Sequence, residues 1–392
     1  MFPFCWNRIR NRWRASLLRT ARPFTLNINP PGQSRRLAEA TAMRRLVLTF
    51  LAFILTVAPL GAQNKKVKTP LDDAVDRGLA YLAGTQDRDG AWAAGSQGKN
   101  PAITALGVMA FMSAGHIPGE GKYGDQVKRG IEYVLRAQAP NGLIASQGAY
   151  EMYQHGICTL MLAEVVGMTE GKLAEEVRKK LERAVLILLR GQRTSGFHKG
   201  GWRYTVNGSE SDISVTGWQV MALRAAKNVG CDVPPERIEM AIEYINNCHD
   251  SFTGGYRYMR GSQVTIACTG TSILALELSG KEYHRSPTSL KAGSYILKGN
   301  MSPFSAHYFY GIYYCSQAMF QLGDNYWNTF REKLHDQLFN NQNANGSWTG
   351  RARDDNTFGP SYCTSMAILG LTVEYRYLPI YQRNEEPAEE KK

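Results

Sequence analysis

A short mark recurs along this chain and separates helical stretches of two kinds: a glutamine, a glycine turn and then an aromatic. It reads Gln86-Asp87-Arg88-Asp89-Gly90-Ala91-Trp92, then Gln138-Ala139-Pro140-Asn141-Gly142-Leu143, then Gln192 leading to Gly200-Gly201-Trp202-Arg203-Tyr204. It continues as Gly254-Gly255-Tyr256-Arg257-Tyr258 and closes with Gln342-Asn343-Ala344-Asn345-Gly346-Ser347-Trp348. Successive glycines stand roughly 50–60 residues apart, and the last gap is nearly double, leaving room for one repeat with a degenerate mark.

The stretch before each mark is amphipathic. In the first, Thr69 caps, Pro70 opens the helix, Asp72 sits in the first turn, and Ala74, Val75, Gly78, Leu79 and Leu82 make one apolar stripe. Similar segments are 123–138, 169–191, 234–248, 286–298 and 325–341. The stretch after each mark is apolar almost all round: Pro101–Gly115, Gly156–Gly167, Val215–Val229, Val264–Ser279, Ala306–Leu322 and Tyr362–Val373. A helix apolar on every face must be buried on every face. Half-buried and wholly buried helices in alternation require two concentric rings, so the expected fold is all-α, an α/α toroid of about six helical hairpins. In the marks, Asp-Gly and Asn-Gly supply a positive-φ reversal and the glutamine a partner for orphan helix carbonyls. Trp92, Trp202, Tyr256 and Trp348 read as staples that cover the neighbouring hairpin.

The pattern Q-x-x-x-G-x-W, followed by a small-residue and apolar helix beginning near a threonine (Thr104, Thr216, Thr271, Thr364), resembles the repeat of triterpene cyclases and protein prenyltransferase β subunits. The resemblance covers most of residues 70–376. It implies the fold and leaves the function open. Cyclases of the squalene–hopene type carry D-x-D-D-T at the start of an inner helix, and its middle aspartate protonates the substrate. The matching stretch here is Asp212-Ile213-Ser214-Val215-Thr216, so Ser214 stands where that acid would be. Serine cannot protonate an alkene. Asp212 is placed to cap the following helix, and it is also the one candidate for a remnant acid. Prenyltransferase β subunits hold zinc with a local D-x-C, which is absent; His307, Cys268 and Cys363 near inner-helix starts are the weak substitutes. No cofactor is expected. The doublet Asp354-Asp355 reads as a solvated loop pair.

Aromatics crowd the expected cavity: Tyr150, Tyr153 and His155 open the second inner helix, Trp218 lies in the third, and Tyr308, Phe309, Tyr310, Tyr313 and Tyr314 fill the fifth. So many hydroxyls are costly to hide, which argues for a polar-edged aromatic funnel. Tyr153, His155, Trp218, Tyr308, Tyr310, Tyr313 and Tyr314 are therefore the candidate ligand contacts.

Charge adds a boundary. Residues 1–62 hold ten arginines, no lysine and one acid, Glu39, and so carry +9 of the formal +12. The remainder is nearly balanced, which removes the footprint of a nucleic-acid binder. Met43-Arg44-Arg45, the apolar run Leu46–Ala58 and Pro59-Leu60-Gly61-Ala62 read as an export signal, with translation starting at Met43. The domains are then a leader and signal at 1–62, a toroid at 63–383 and a charged, disordered tail at 384–392. The cysteines are scattered; Cys231 and Cys248 flank one helix and are the pair open to a disulfide in an oxidising compartment. The preferred reading is a periplasmic or secreted toroid that binds an extended or apolar ligand (isoprenoid-like, peptide or saccharide) in its central cavity. A diverged cyclase or transferase using Asp212 and an envelope scaffold are the alternatives. Peripheral membrane association is compatible with each, and the oligomeric state is open.

Overall fold

The computed structural model describes residues 68–146, 148 and 150–382. The leader at 1–62, including Met43 and the apolar run, and the tail at 384–392 lie outside the described residues. The unit that begins at Thr69 contains twelve α-helices among the described residues. The outer set is α1 (Pro70–Thr85), α3 (Gly124–Arg136), α5 (Gly171–Gly191), α7 (Pro235–Asn247), α9 (Pro287–Lys298) and α11 (Asp324–Asn340). The inner set is α2 (Pro101–Ser113), α4 (Glu151–Val165), α6 (Ile213–Asn228), α8 (Ile266–Glu277), α10 (Tyr308–Leu322) and α12 (Arg353–Leu371). No helix of the described residues is long and apolar enough to cross a membrane.

Local chemistry sets the helix starts. Thr69 and Asp72 form a reciprocal capping box on α1, with Thr69 Oγ1 accepting from Asp72 N at 3.1 Å and Asp72 Oδ2 from Thr69 N at 3.1 Å. The Asn100 side chain accepts from Ala102 N and Ile103 N to start α2, and Thr265 accepts from Cys268 N to start α8. The burial contrast matches the sequence pattern. All 13 residues of α2 are buried, whereas α3 buries one face, chiefly Val127, Ile131, Val134 and Leu135.

Each inner helix packs on the next, and α12 packs back on α2, so the inner ring is closed. Three bonds seal the seam: Gln342 Nε2 donates to Ala74 O at 2.9 Å, Thr372 Oγ1 to Ser113 Oγ at 2.8 Å, and the Tyr375 hydroxyl to Asp72 Oδ1 at 2.8 Å.

The marks join neighbouring repeats. Each glutamine Nε2 donates to its own turn glycine (Gly90, Gly142, Gly200, Gly346) and to a carbonyl of the next outer helix (Gln126, Lys180, Arg237, Ala74). The indole N–H groups of Trp92, Trp202 and Trp348 donate to Leu82, Leu188 and Leu338 carbonyls, each at 2.8 Å. The ring residue's own backbone N–H donates to Thr104, Thr216, Thr269 and Thr364 in the four repeats that have a ring. The fourth threonine is therefore Thr269; Thr271 instead pairs with the Tyr310 hydroxyl at 2.7 Å. The turn glycine is required at Gly200, which has φ 95°, because a Cβ there would overlap the Met240 carbonyl of α7.

Three local features differ from the sequence reading. Helix α4 starts at Glu151, before Gly156. The fourth mark closes as a small antiparallel hairpin, β1 (Tyr256–Arg257) with β2 (Val264–Thr265), because its strand segments pair before the helix begins. Helix α12 bends at Gly359, φ 77°, just before Pro360, so Asp354 and Asp355 belong to a preceding helical turn and not to a loop. The Cys231–Cys248 disulfide is excluded. The two lie beyond opposite ends of the 13-residue α7, about 20 Å of helix, and both thiols are free.

Candidate functional site

The inner helices all begin at one end of the ring, and their first turns, with the marks that feed them, form its mouth. Asp212 is the N-cap of α6. Its Oδ1 accepts from Val215 N at 2.9 Å and from Ser214 Oγ at 2.6 Å, and the residue has no exposed surface. Arg203 Nε stands 3.6 Å from Asp212 Oδ2. Burial raises the pKa of Asp212, opposed by the bonds from Ser214 and Val215. Ser214 in turn accepts from the Tyr153 hydroxyl, so a carboxyl, a hydroxyl and a phenol are linked in a line from the buried cap towards the mouth.

Above that line the rings gather. Tyr153 stacks on Tyr204 at 6.1 Å, Tyr150 meets Tyr204 edge-on at 4.9 Å, and the Tyr204 and Tyr258 hydroxyls lie 2.5 Å apart. Tyr153, Tyr204 and Tyr258 are half-buried and Tyr150 is exposed. Further out, Arg260 lies over the exposed Phe197 ring at 4.0 Å and Arg351 over Phe304 at 5.3 Å. The arrangement offers aromatic faces, several hydroxyls and one carboxyl whose raised pKa suits proton exchange.

Other candidates lie elsewhere. Trp218 stacks on Tyr313 at 5.2 Å and 8°, and Tyr314 meets Trp218 edge-on at 5.2 Å. These three rings are at most 1% exposed, so no water-sized void adjoins them. They fill the middle of the ring instead of lining a funnel, because each phenol edge has another ring or helix against it. The C-terminal segment closes the far end: Tyr313 and Tyr381 share a hydroxyl bond, Ile380 N donates to Glu164 Oε2 at 3.3 Å, and Gln321 Nε2 to Tyr381 O at 3.3 Å. Tyr308 points outward, its hydroxyl donating to Gln337 Oε1 of α11 at 3.0 Å. Tyr310, bonded to Thr271, is buried at the floor of the mouth.

His155 is a structural residue. The second mark has Ile144 where others have a ring, and His155 takes over the bonding: Nδ1 accepts from Ile144 N at 3.0 Å and Nε2 donates to Ala184 O at 3.0 Å. Burial lowers its pKa to about 4, so the imidazole is neutral, and neither nitrogen is free for a ligand. Replacing His155 by leucine leaves the buried Ile144 N–H unpaired and removes the added bond to Ala184 O, and is expected to cost about 3 kcal/mol in urea denaturation; a loss under about 1 kcal/mol would refute this role.

Cys268, His307 and Cys363 do not form a metal site. Among the described residues no three His, Cys, Asp or Glu side chains are grouped for a metal. Cys268 is buried, which pushes its thiol up to about 12, away from the thiolate a metal needs. His307 is exposed and lies 3.7 Å from Asp354. Asp355 is buried, not solvated; it accepts from Phe309 N at 3.3 Å, and burial raises its pKa to about 6.

Tyr204, Tyr258 and Arg203 are mouth residues that the sequence reading quoted within the marks and did not single out. The signal was present: Trp202-Arg203-Tyr204 and Tyr256-Arg257-Tyr258 share a spacing that puts a second tyrosine two residues beyond the staple.

No family model and no curated protein matches this sequence. Solved structures do. The type II terpene cyclase MstE from Scytonema aligns with TM-score 0.53 and 15% identity, over 77% of this chain and 97% of that one. The GH76A α-1,6-mannanase of Salegentibacter sp. HEL1_6, in an inactive variant with α-1,6-mannotriose, aligns with TM-score 0.58 and 14% identity, over 77% and 98%. At these identities the likeness concerns the fold. A closed inner ring, stapled outer helices and these two alignments give the chain an α/α toroid fold.

Proposed function

We propose that this toroid binds a saccharide chain across its mouth, on the rings of Tyr150, Tyr153, Tyr204 and Tyr258. One observation carries the reading: these rings are partly exposed, touch one another, and share hydroxyl bonds above a buried carboxyl. Sugars present apolar C–H faces and many hydroxyls, which such a surface matches better than an isoprenoid tail does. The filled ring centre moves the seat of the ligand from the interior to the mouth. The fold neighbours include a mannanase with a bound manno-oligosaccharide and a terpene cyclase with a bound geranylgeranyl substrate, so both ligand classes are compatible with the architecture. Export through Leu46–Ala58, placing the chain outside the cytoplasm, belongs to the same proposal.

Calorimetric titration with linear oligosaccharides tests it. Saturable binding that weakens at least about tenfold in Tyr204→Ala, with unchanged circular dichroism, is the expected result. Binding of geranylgeraniol but of no saccharide would overturn it. A second reading, acid catalysis, is favoured by the line from Asp212 through Ser214 to Tyr153; product formation that disappears in Asp212→Asn while ligand binding persists would establish it.

A further inference from the structure

The fifth repeat has no ring in its mark, and a cleft of about 140 Å³ stands where the four ring-bearing repeats keep theirs. Trp92, Trp202, Tyr256 and Trp348 come two residues after the positive-φ glycines Gly90, Gly200, Gly254 and Gly346; Met301 comes two residues after Gly299, the C-cap of α9 with φ −74°, so its match to the ring position rests on packing. A mark ring has three walls. It bonds the end of the preceding outer helix, as Trp92 does at Leu82. It lies on a glycine of the inner helix, where a Cβ at Gly107 would meet Trp92 at 3.0 Å. It also lies on a glycine of the next outer helix, where a Cβ at Gly78 would meet Trp348 at 2.9 Å.

The cleft has the same three walls. Ile296 and Leu297 come from the end of α9, Ile312 from α10, and Phe330 and Leu334 from α11. Met301 lies over Gly311 as Trp92 lies over Gly107, with Sδ at 2.8 Å from a Cβ built there. A thioether is narrower than an indole, and the difference is left as space. Of the three polar residues at the edge, Lys333 and Gln337 are engaged, Lys333 Nζ with Leu297 O at 3.1 Å and Gln337 Nε2 with Met301 O at 2.7 Å, and Asn300 is the third. The cleft's apolar faces, from Ile266, Ile296, Leu297, Ile312, Phe330 and Leu334, suit the flat face of a ring.

We propose that the unstapled fifth repeat is a binding site for a small planar aromatic molecule of indole size, separate from the mouth. The test is titration of methyl-labelled protein with indole, read on the δ1 methyls of Ile266, Ile296 and Ile312, all of which line the cleft. Saturable ring-current shifts confined to these three methyls are expected at millimolar indole. Met301→Trp should shift the same methyls without ligand, abolish the response to indole and raise the melting temperature. If that variant does not fold, Leu334→Trp fills the cleft from the α11 side and serves the same comparison. Shifts that do not saturate, that spread over unrelated isoleucines, that persist in the filled variant, or that are larger with hexanol than with indole would overturn the proposal.

Discussion

Trp202→Ala is expected to cost about 4 kcal/mol of unfolding free energy, among the largest single losses this chain offers. The indole is fully buried, packs beside Gly191 and donates to Leu188 O at 2.8 Å. Its own backbone N–H donates to Thr216 Oγ1 at 3.1 Å, and its carbonyl accepts from Asp212 N at 2.9 Å. Truncation therefore opens a cavity between two repeats and loosens the strand segment that sets the Asp212 cap. Trp202→Phe keeps most of the apolar contact and loses one hydrogen bond, so a loss nearer 1–2 kcal/mol is expected. Urea denaturation of the pair measures the difference. A loss below about 1.5 kcal/mol in the alanine variant would mean that the ring is not a staple.

The second large effect concerns alkaline pH. Glu164 is buried at the end of α4, where its Oε2 accepts from Ile380 N, and burial raises its pKa to about 8. Tyr313 and Tyr381, which face it, are also pushed up by burial and stay neutral. In the unfolded chain this carboxyl ionises near pH 4.3. Between that value and about 8 the folded state holds a proton that the unfolded state has lost, so stability falls as pH rises. It is complete below the lower value and levels off above the upper one. Glu164→Gln keeps an acceptor for Ile380 and cannot ionise. The variant is expected to lose roughly 4 kcal/mol less than wild type between pH 4 and pH 9. Melting curves of both proteins at the two ends of that range decide it. Parallel losses would show that Glu164 is hydrated and ionises normally in the folded chain.

The fold was legible because two periodicities are written into the sequence, a one-sided stripe and an all-round apolar run, and because the marks kept their register. The site was less so. Composition suggested that hydroxyls such as those of Tyr313 and Tyr314 were too numerous to bury, yet both rings pack on Trp218, Tyr313 stacked and Tyr314 edge-on; the Tyr313 hydroxyl finds Tyr381, and that of Tyr314 is buried without a hydrogen-bond partner. The partner, Tyr381, comes from the C-terminal segment, and no local pattern announces a contact between residues so far apart. His155 was misleading for a related reason. A histidine at an inner-helix start looks like a ligand contact unless the missing ring at Ile144 is noticed. Tyr204 and Tyr258 were hidden by their neighbours, since the staple beside each one accounted for the motif by itself.

The seam where Gln342 meets Ala74 and α12 meets α2 has one more consequence. An open array of repeats frays from its terminal units, which have a neighbour on one side only. Here the first and last hairpins are each other's neighbours, so no unit is terminal and none is the natural place for melting to begin. The number of hairpins is fixed by geometry for the same reason: gaining or losing one would change the circumference, and the two edges of the seam would no longer meet.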